Sequence, residues 1–137
     1  MKPILVDSGP LIALFNRSDK YHASSVAFIK NNKRKLVTTV ANITEAVYVL
    51  GFSREAQSAF LRWIAISSII VEQIGPEDIL EICVLFEKYH SVPMDFADAC
   101  IVKIGEKLAT DEIATVDSDF EIYRLQGRTP FKNVLLT

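Results

Sequence analysis

The chain has 137 residues, of which 50% are hydrophobic and 23% are charged. This length predicts one domain, and the composition excludes a disordered or fibrous chain. The sequence contains no long uncharged apolar run and no signal-peptide pattern at its start, so we expect no membrane association. The net charge is −2 and the sequence contains no strong basic patch, so we do not expect tight nonspecific binding of nucleic acid.

Two cysteines, Cys83 and Cys100, fall in apolar helical patterns. We expect them to pack in the core of a protein from the reducing cytoplasm, and a disulfide between them is the alternative. The sequence therefore predicts a cytoplasmic domain that is stabilised by its core.

Strands and helices alternate along the chain, because the apolar period switches repeatedly between two and about 3.6 residues. The predicted strands are 3–6, 35–39, 68–72, 113–116 and 133–136. The predicted helices are 10–16, 20–31, 42–50, 53–66, 75–90, 95–108 and 119–125, with N-caps at Asn42, Ser53 and Asp95. Strands separated by helices predict an α/β fold, in which a central parallel sheet lies between helices as an α/β/α sandwich.

Four acidic residues lie where predicted strands end or predicted helices begin. Asp7 and Asp117 directly follow strands, whereas Glu45 and Asp98 lie three residues after the predicted caps of their helices. In a parallel sheet, the carboxyl ends of the strands and the starts of the crossover helices share one edge, where ligands bind. We therefore expect four carboxylates at one edge, where their mutual repulsion favours a divalent cation.

Each acid also has an ordinary structural interpretation. Glu45 could close a capping box at the start of its helix, and Asp98 could be a favourable acid in a first helical turn. Asp117 could belong to a turn, and Asp7 could cap a helix that begins with proline. Each interpretation is adequate for one residue, but none explains why acids recur at one edge beside apolar runs.

At these positions the chain resembles the PIN-domain family, and within it the compact ribonucleases typified by VapC-type toxins. The segment ILVDSGPLIALF (4–15) is similar to the family's opening strand, first metal-binding aspartate and following helix. DKYH (19–22) resembles the usual start of the second helix. Three further segments look like the second, third and fourth acidic motifs of the family: TTVANITEAVYVL (38–50), DFADACI (95–101) and ATVDSDF (114–120).

The resemblance implies one PIN-like nuclease domain over residues 1–137 and an endoribonuclease that depends on Mg²⁺ or Mn²⁺. Its catalytic and metal-binding residues would be Asp7, Glu45, Asp98 and Asp117. Asp95 and Asp119 are the alternatives for the third and fourth of these positions. Ser8 and Thr115 could support the metal ligands.

Toxins of this kind usually pair with a small antitoxin and form homodimers, so the resemblance implies the toxin of a type II toxin–antitoxin pair with RNA as its substrate. The alternatives are a housekeeping RNA-processing nuclease, a DNA-directed PIN nuclease and a noncatalytic PIN-like binding module. Retention of all four acids argues against the noncatalytic module. An aspartyl-phosphate phosphatase is disfavoured, because Gly9 stands where a second aspartate is needed two residues after Asp7.

Overall fold

The computed structural model describes residues 1–136, and Thr137, the last residue of the predicted domain, lies outside them. A parallel sheet of five strands has the order β3-β2-β1-β4-β7. Its strands are β1 (Ile4–Val6), β2 (Leu36–Thr39), β3 (Ile70–Glu72), β4 (Glu112–Ala114) and β7 (Lys132–Asn133). The strands β5 (Arg124–Leu125) and β6 (Thr129–Pro130) form a separate antiparallel hairpin.

The helices fill the connections between these strands. They are α1 (Ser8–Leu14), α2 (His22–Asn31), α3 (Val40–Val49), α4 (Arg54–Ile66), α5 (Pro76–Lys88) and α6 (Phe96–Leu108). Two 3₁₀ turns, Leu50–Phe52 and Ser118–Glu121, follow α3 and β4. Within residues 1–136, no helix combines the length and the apolar character that a membrane crossing requires.

The two faces of the sheet bury different sets of helices. Leu5 and Val6 are neighbours in β1, so their side chains point to opposite faces. Leu5 packs in a buried cluster with Ile101 of α6, whereas Val6 packs with Leu11 of α1 and Phe60 of α4. The predicted α/β/α sandwich with a central parallel sheet is therefore confirmed.

The order of the strands creates a crevice beside β1. The chain first moves outward from β1 to β2 and β3, and then α5 and α6 return it to β4 on the other side of β1. Such a reversal leaves an opening at the carboxyl ends of the two central strands, because the connections diverge there. The residues that follow β1 and β4 are therefore placed side by side.

The start of α3 differs from the prediction. Thr39 is its N-cap, since the Thr39 hydroxyl accepts the backbone N–H of Asn42 at 3.3 Å. The predicted cap at Asn42 is therefore wrong, and α3 begins at Val40. As a result, Glu45 lies in the second turn, beyond the position that a capping box requires.

The other predicted caps are confirmed, and one strand end is corrected. Ser53 accepts the N–H of Ala56 at 3.1 Å, and Asp95 accepts that of Asp98 at 2.8 Å. In contrast, β4 ends at Ala114 instead of residue 116, because its partner β1 ends at the paired Val6. The acid at 117 thus lies in a turn beyond the strand.

The C-terminal part departs most from the sequence prediction. The predicted helix 119–125 is a single 3₁₀ turn followed by the β5–β6 hairpin, whose turn contains positive φ angles at Gln126 (51°) and Gly127 (69°). The predicted strand 133–136 is the short β7. Both cysteines are free, and the expectation of core packing is confirmed for Cys100 but wrong for the exposed Cys83.

Candidate metal centre

Three aspartates from distant segments meet at the crevice between β1 and β4. Asp7 directly follows β1, Asp117 lies in the turn after β4, and Asp98 lies in the first turn of α6. Each offers one carboxylate oxygen, and these three oxygens lie within 4.8 Å of one another. Asp7 and Asp98 are only 4% and 6% exposed, and Asp117 is half-buried. The fold therefore concentrates negative charge in a poorly solvated place.

Hydrogen bonds hold both carboxylate oxygens of Asp7. The Thr115 hydroxyl donates to Asp7 Oδ2 at 2.7 Å, and the side-chain amide of Asn42 donates to Asp7 Oδ1 at 3.3 Å. Asn42 is itself fixed, because it accepts from the Thr39 hydroxyl at 2.6 Å and donates to the Ser8 hydroxyl at 2.9 Å. Asp7 thus has little freedom to rotate.

The turn that carries Asp117 is held on both sides. The backbone N–H of Asp117 donates to the Thr115 hydroxyl at 3.0 Å, and Asp117 Oδ1 accepts the N–H of Asp119 at 2.9 Å. The side chain of Asn133 in β7 donates to the Thr115 carbonyl at 2.9 Å. On the other side, a Cβ on Gly9 would lie only 2.3 Å from Val116 Cγ2, so any larger residue at this position would force the Val116 side chain to move.

Asp98 takes part in a helix cap as well as in the acidic group. It forms a reciprocal capping box with Asp95, in which Asp98 Oδ2 accepts the N–H of Asp95 at 3.4 Å. The Tyr123 hydroxyl donates to the same oxygen at 3.2 Å. The interpretation of Asp98 as an acid in the first turn of its helix is therefore confirmed, and it is compatible with membership of the group.

Glu45 lies next to the group of three aspartates but is not one of its members. Its carboxyl group is half-buried on α3, where burial raises its pKa, the nearby Ser8 hydroxyl lowers it, and the charge of Asp95 raises it further. Asp95 is exposed and Asp119 is half-buried, and within residues 1–136 neither belongs to the group of three.

The electrostatics of the site disfavour four free carboxylates. Burial, reinforced by neighbouring carboxylates, raises the pKa of Asp98 to about 8. Burial also raises the pKa of Asp7 to about 6, although the hydrogen bond from Thr115 opposes this rise. The pKa values of Asp117 and Glu45 are raised as well, first of all by burial. A divalent cation would remove this penalty by compensating the charge.

The donor set fits a hard divalent cation. All three members of the group offer carboxylate oxygens, which are the ligands that Mg²⁺ and Mn²⁺ prefer over softer metals. Asp98 Oδ1 and Asp117 Oδ2 accept no hydrogen bond from any described residue, so each retains a free oxygen for a ligand. The residues present can therefore hold such an ion.

An apolar groove of about 870 Å³ adjoins the acids. Glu45 and Asp95 form part of its wall, and most of the remainder comes from α3 and the start of α6. Ile79 contributes from α5 and residues 72–74 from the end of β3 and the loop after it, and the exposed members include Val40 and Tyr48, with Tyr48 84% exposed. A bound polymer or a partner would therefore have room beside the acidic group.

Comparison with known proteins identifies the family. The PIN domain family model matches residues 4–125, which include all four predicted site acids. The chain belongs to the PIN domain family, as its motifs predict. A search of curated protein sequences gave no match.

A solved structure supports the same fold. VapC20 from Mycobacterium tuberculosis, a sarcin–ricin loop cleaving toxin, superposes with a TM-score of 0.81 over 87% of this chain and 93% of VapC20. The sequence identity is 18%, so the similarity is one of fold.

Sequence reasoning missed two side chains of the site. The sequence predicts a helix cap at Asn42, but an amide side chain within an apolar helix also indicates a buried polar contact, and this is the role that Asn42 has. Tyr123 carried no signal, because its contact with Asp98 depends on the path of the chain after the 3₁₀ turn.

Proposed function

We propose that this protein is an endoribonuclease that hydrolyses RNA phosphodiester bonds with Mg²⁺ or Mn²⁺. The observation that carries the proposal is the approach of three carboxylate oxygens to within 4.8 Å of one another at the crevice of the sheet. Membership of the PIN domain family and the fold shared with an RNA-cleaving toxin support it. The proposed catalytic and metal-binding residues are Asp7, Glu45, Asp98 and Asp117.

The acidic residues of the site would have different roles in this reaction. Asp7, Asp98 and Asp117 would hold the cation, and the hydrogen bonds to Asp7 would keep this ligand in place before binding. Glu45 on α3 would orient a water molecule or complete the ligand set. A bound divalent cation supplies a more acidic water molecule and offsets the negative charge that develops on the phosphate.

The biological setting is also part of the proposal. We expect residues 1–137 to act as one PIN-like domain in the cytoplasm, as the toxin of a type II toxin–antitoxin pair. The outer faces of α3 and α5 expose large apolar side chains, among them Tyr48 (84%), Leu80 (71%) and Val84 (62%). Because large exposed apolar side chains commonly mark interaction sites, we expect a second copy of the chain or a small antitoxin to cover them.

Cleavage of defined RNAs tests the activity. Purified protein would be incubated with labelled RNAs, including a hairpin with the sarcin–ricin loop sequence, and with DNA of the same sequence. We expect RNA cleavage with Mg²⁺ or Mn²⁺ that stops in EDTA. Asp117→Asn should abolish cleavage, whereas Glu121→Gln, which removes an exposed acid outside the group of three, should not.

Two results would contradict the proposal. Cleavage that survives complete chelation would exclude the metal site, and preferential cutting of DNA would favour the DNA-directed alternative. Co-expression with the product of a short neighbouring gene, followed by co-purification and loss of cleavage, tests the pairing with an antitoxin.

A further inference from the structure

Tyr123 places one polar atom of the hydrophobic core against the acidic group. Its side chain is fully buried and meets the rings of Tyr89 and Phe120 edge to face, with centroid distances of 5.1 and 5.0 Å. A hydroxyl in such a place needs a hydrogen-bond partner. The Tyr123 hydroxyl finds it in Asp98 Oδ2, 3.2 Å away.

The hydrogen bonds to Asp98 are unevenly distributed between its oxygens. Oδ2 accepts from the Tyr123 hydroxyl at 3.2 Å and from the backbone N–H of Asp95 at 3.4 Å. Oδ1 accepts none from the described residues. The two donors therefore fix the rotation of the carboxylate and leave Oδ1 available to a ligand.

Tyr123 also connects Asp98 to Asp117. The backbone N–H of Tyr123 donates to the Asp119 carbonyl at 3.2 Å, and the N–H of Asp119 donates to Asp117 Oδ1 at 2.9 Å. One short segment thus carries one acid of the group and bonds directly to another. These hydrogen bonds link the Asp98 and Asp117 carboxylates through Tyr123 and Asp119.

We propose that Tyr123 is a positioning residue of the metal site, whose hydroxyl holds the Asp98 carboxylate at the spacing from Asp117 that cation binding requires. This inference rests on the proposed role of Asp98 as a ligand. The Tyr123 ring packs in the core, but its hydroxyl serves the site.

A matched control separates positioning from core stability. Tyr89 belongs to the same buried cluster, and its hydroxyl also makes one hydrogen bond, from the backbone N–H of Arg124 at 2.9 Å. Tyr89→Phe and Tyr123→Phe therefore remove the same atom from the same core, but only Tyr123→Phe removes a bond to Asp98.

The experiment measures Mn²⁺ affinity by calorimetry on the full chain, with the thermal midpoint recorded for each variant. Loss of a side chain that orients a ligand costs about 10–100-fold in metal affinity, so we expect at least a tenfold weaker Kd for Tyr123→Phe. Tyr89→Phe should keep the wild-type Kd. At subsaturating Mn²⁺, RNA cleavage by Tyr123→Phe should be slow, and excess Mn²⁺ should restore it.

Three results would overturn the inference. The first is a wild-type Kd for Tyr123→Phe with a lowered thermal midpoint, and the second is an equal loss of affinity in Tyr89→Phe. The third is a wild-type Kd for Asp98→Asn, which would also contradict the proposed metal site. If Asp98→Asn binds Mn²⁺ weakly while Tyr123→Phe binds it normally, only the role of Tyr123 is rejected. If Tyr123→Phe folds poorly, Ala109→Gly supplies a stabilised background, because Ala109 has a positive φ of 52° at the end of α6.

Discussion

Thr115 donates a hydrogen bond from its hydroxyl to Asp7 Oδ2 over 2.7 Å, across the crevice between β1 and β4. The Thr115 hydroxyl oxygen also accepts the backbone N–H of Asp117 at 3.0 Å. One hydroxyl therefore sets the positions of two acids in the group of three. The second bond could not form if β4 continued regularly through residue 117, because the chain must turn for the Asp117 N–H to reach the hydroxyl two residues earlier.

Thr115→Val should weaken the site, because it removes this hydroxyl at nearly constant volume. Since the Thr115 hydrogen bond lowers the pKa of Asp7, we expect that pKa to rise in the variant. Unfolding free energy should fall by about 1–3 kcal/mol, the usual cost of leaving buried polar groups without a partner. Urea unfolding without metal and Mn²⁺ calorimetry measure the two effects. Thr115→Ser keeps the hydroxyl and should retain most of both properties, so equal losses in the two variants would contradict this role.

Asp98→Asn should abolish RNA cleavage while the protein remains folded. The amide oxygen can still accept from Tyr123 and from the N–H of Asp95, but the negative charge is lost. Asp95→Asn should spare most activity, because asparagine caps helices about as well as aspartate and Asp95 lies outside the group of three. Cleavage rates and thermal midpoints of both variants test this, and the opposite ranking would assign the third ligand to Asp95.

Stability of the metal-free protein should fall as pH rises from about 5.5 to 8. The folded-state pKa values of Asp7 and Asp98 are about 6 and about 8, above the ordinary value of 3.8. The folded state therefore binds more protons than the unfolded state in this range, and each excess proton costs about 1.4 kcal/mol of unfolding free energy per pH unit. The contribution is fully present below pH 3.8 and is lost as pH rises through the raised values. Thermal scans in EDTA check the slope.

Asp98→Asn is the control for this pH dependence. It removes the group with the higher pKa, so the decline between pH 6 and 8 should flatten. Glu121→Gln, an exposed acid, should leave the decline unchanged. A wild-type thermal midpoint that stays constant or rises over this range in EDTA would mean that the carboxylates are not buried together in solution.

Saturating Mg²⁺ or Mn²⁺ should raise the thermal midpoint at pH 8. A ligand that binds only the folded state adds about 2.7 kcal/mol of stability at a hundredfold excess over its Kd. Asp7→Asn should reduce the shift, because it removes one of the three grouped carboxylates, and it should raise the metal-free midpoint by relieving repulsion. Midpoint shifts at several metal concentrations measure this, and equal shifts in wild type and Asp7→Asn would show that Asp7 is not a ligand.

The positions of Asp7 and Asp98 in their secondary-structure elements could be predicted from local sequence patterns. Asp7 follows a short apolar run and Asp98 follows a cap, so their places at a strand end and in a first helical turn are readable from neighbouring residues. The parallel sheet could likewise be predicted from the alternation of strand-like and helix-like apolar periods along the chain. The position of Glu45 was predicted less well. Because the helix cap is Thr39 and not Asn42, Glu45 lies one turn further into α3 than predicted.

The sequence by itself determined the α/β/α class, the PIN family and the edge of the sheet at which the acids lie, because each depends on short-range periodicity, caps and motifs. Only the tertiary structure decided that Asp7, Asp98 and Asp117 form the tight group while Glu45, Asp95 and Asp119 stand outside it. It also decided that Tyr123 reaches Asp98. Distances between such segments depend on strand order, on where pairing ends and on the packing of helices across the sheet, and these long-range contacts leave no periodic signal in the chain.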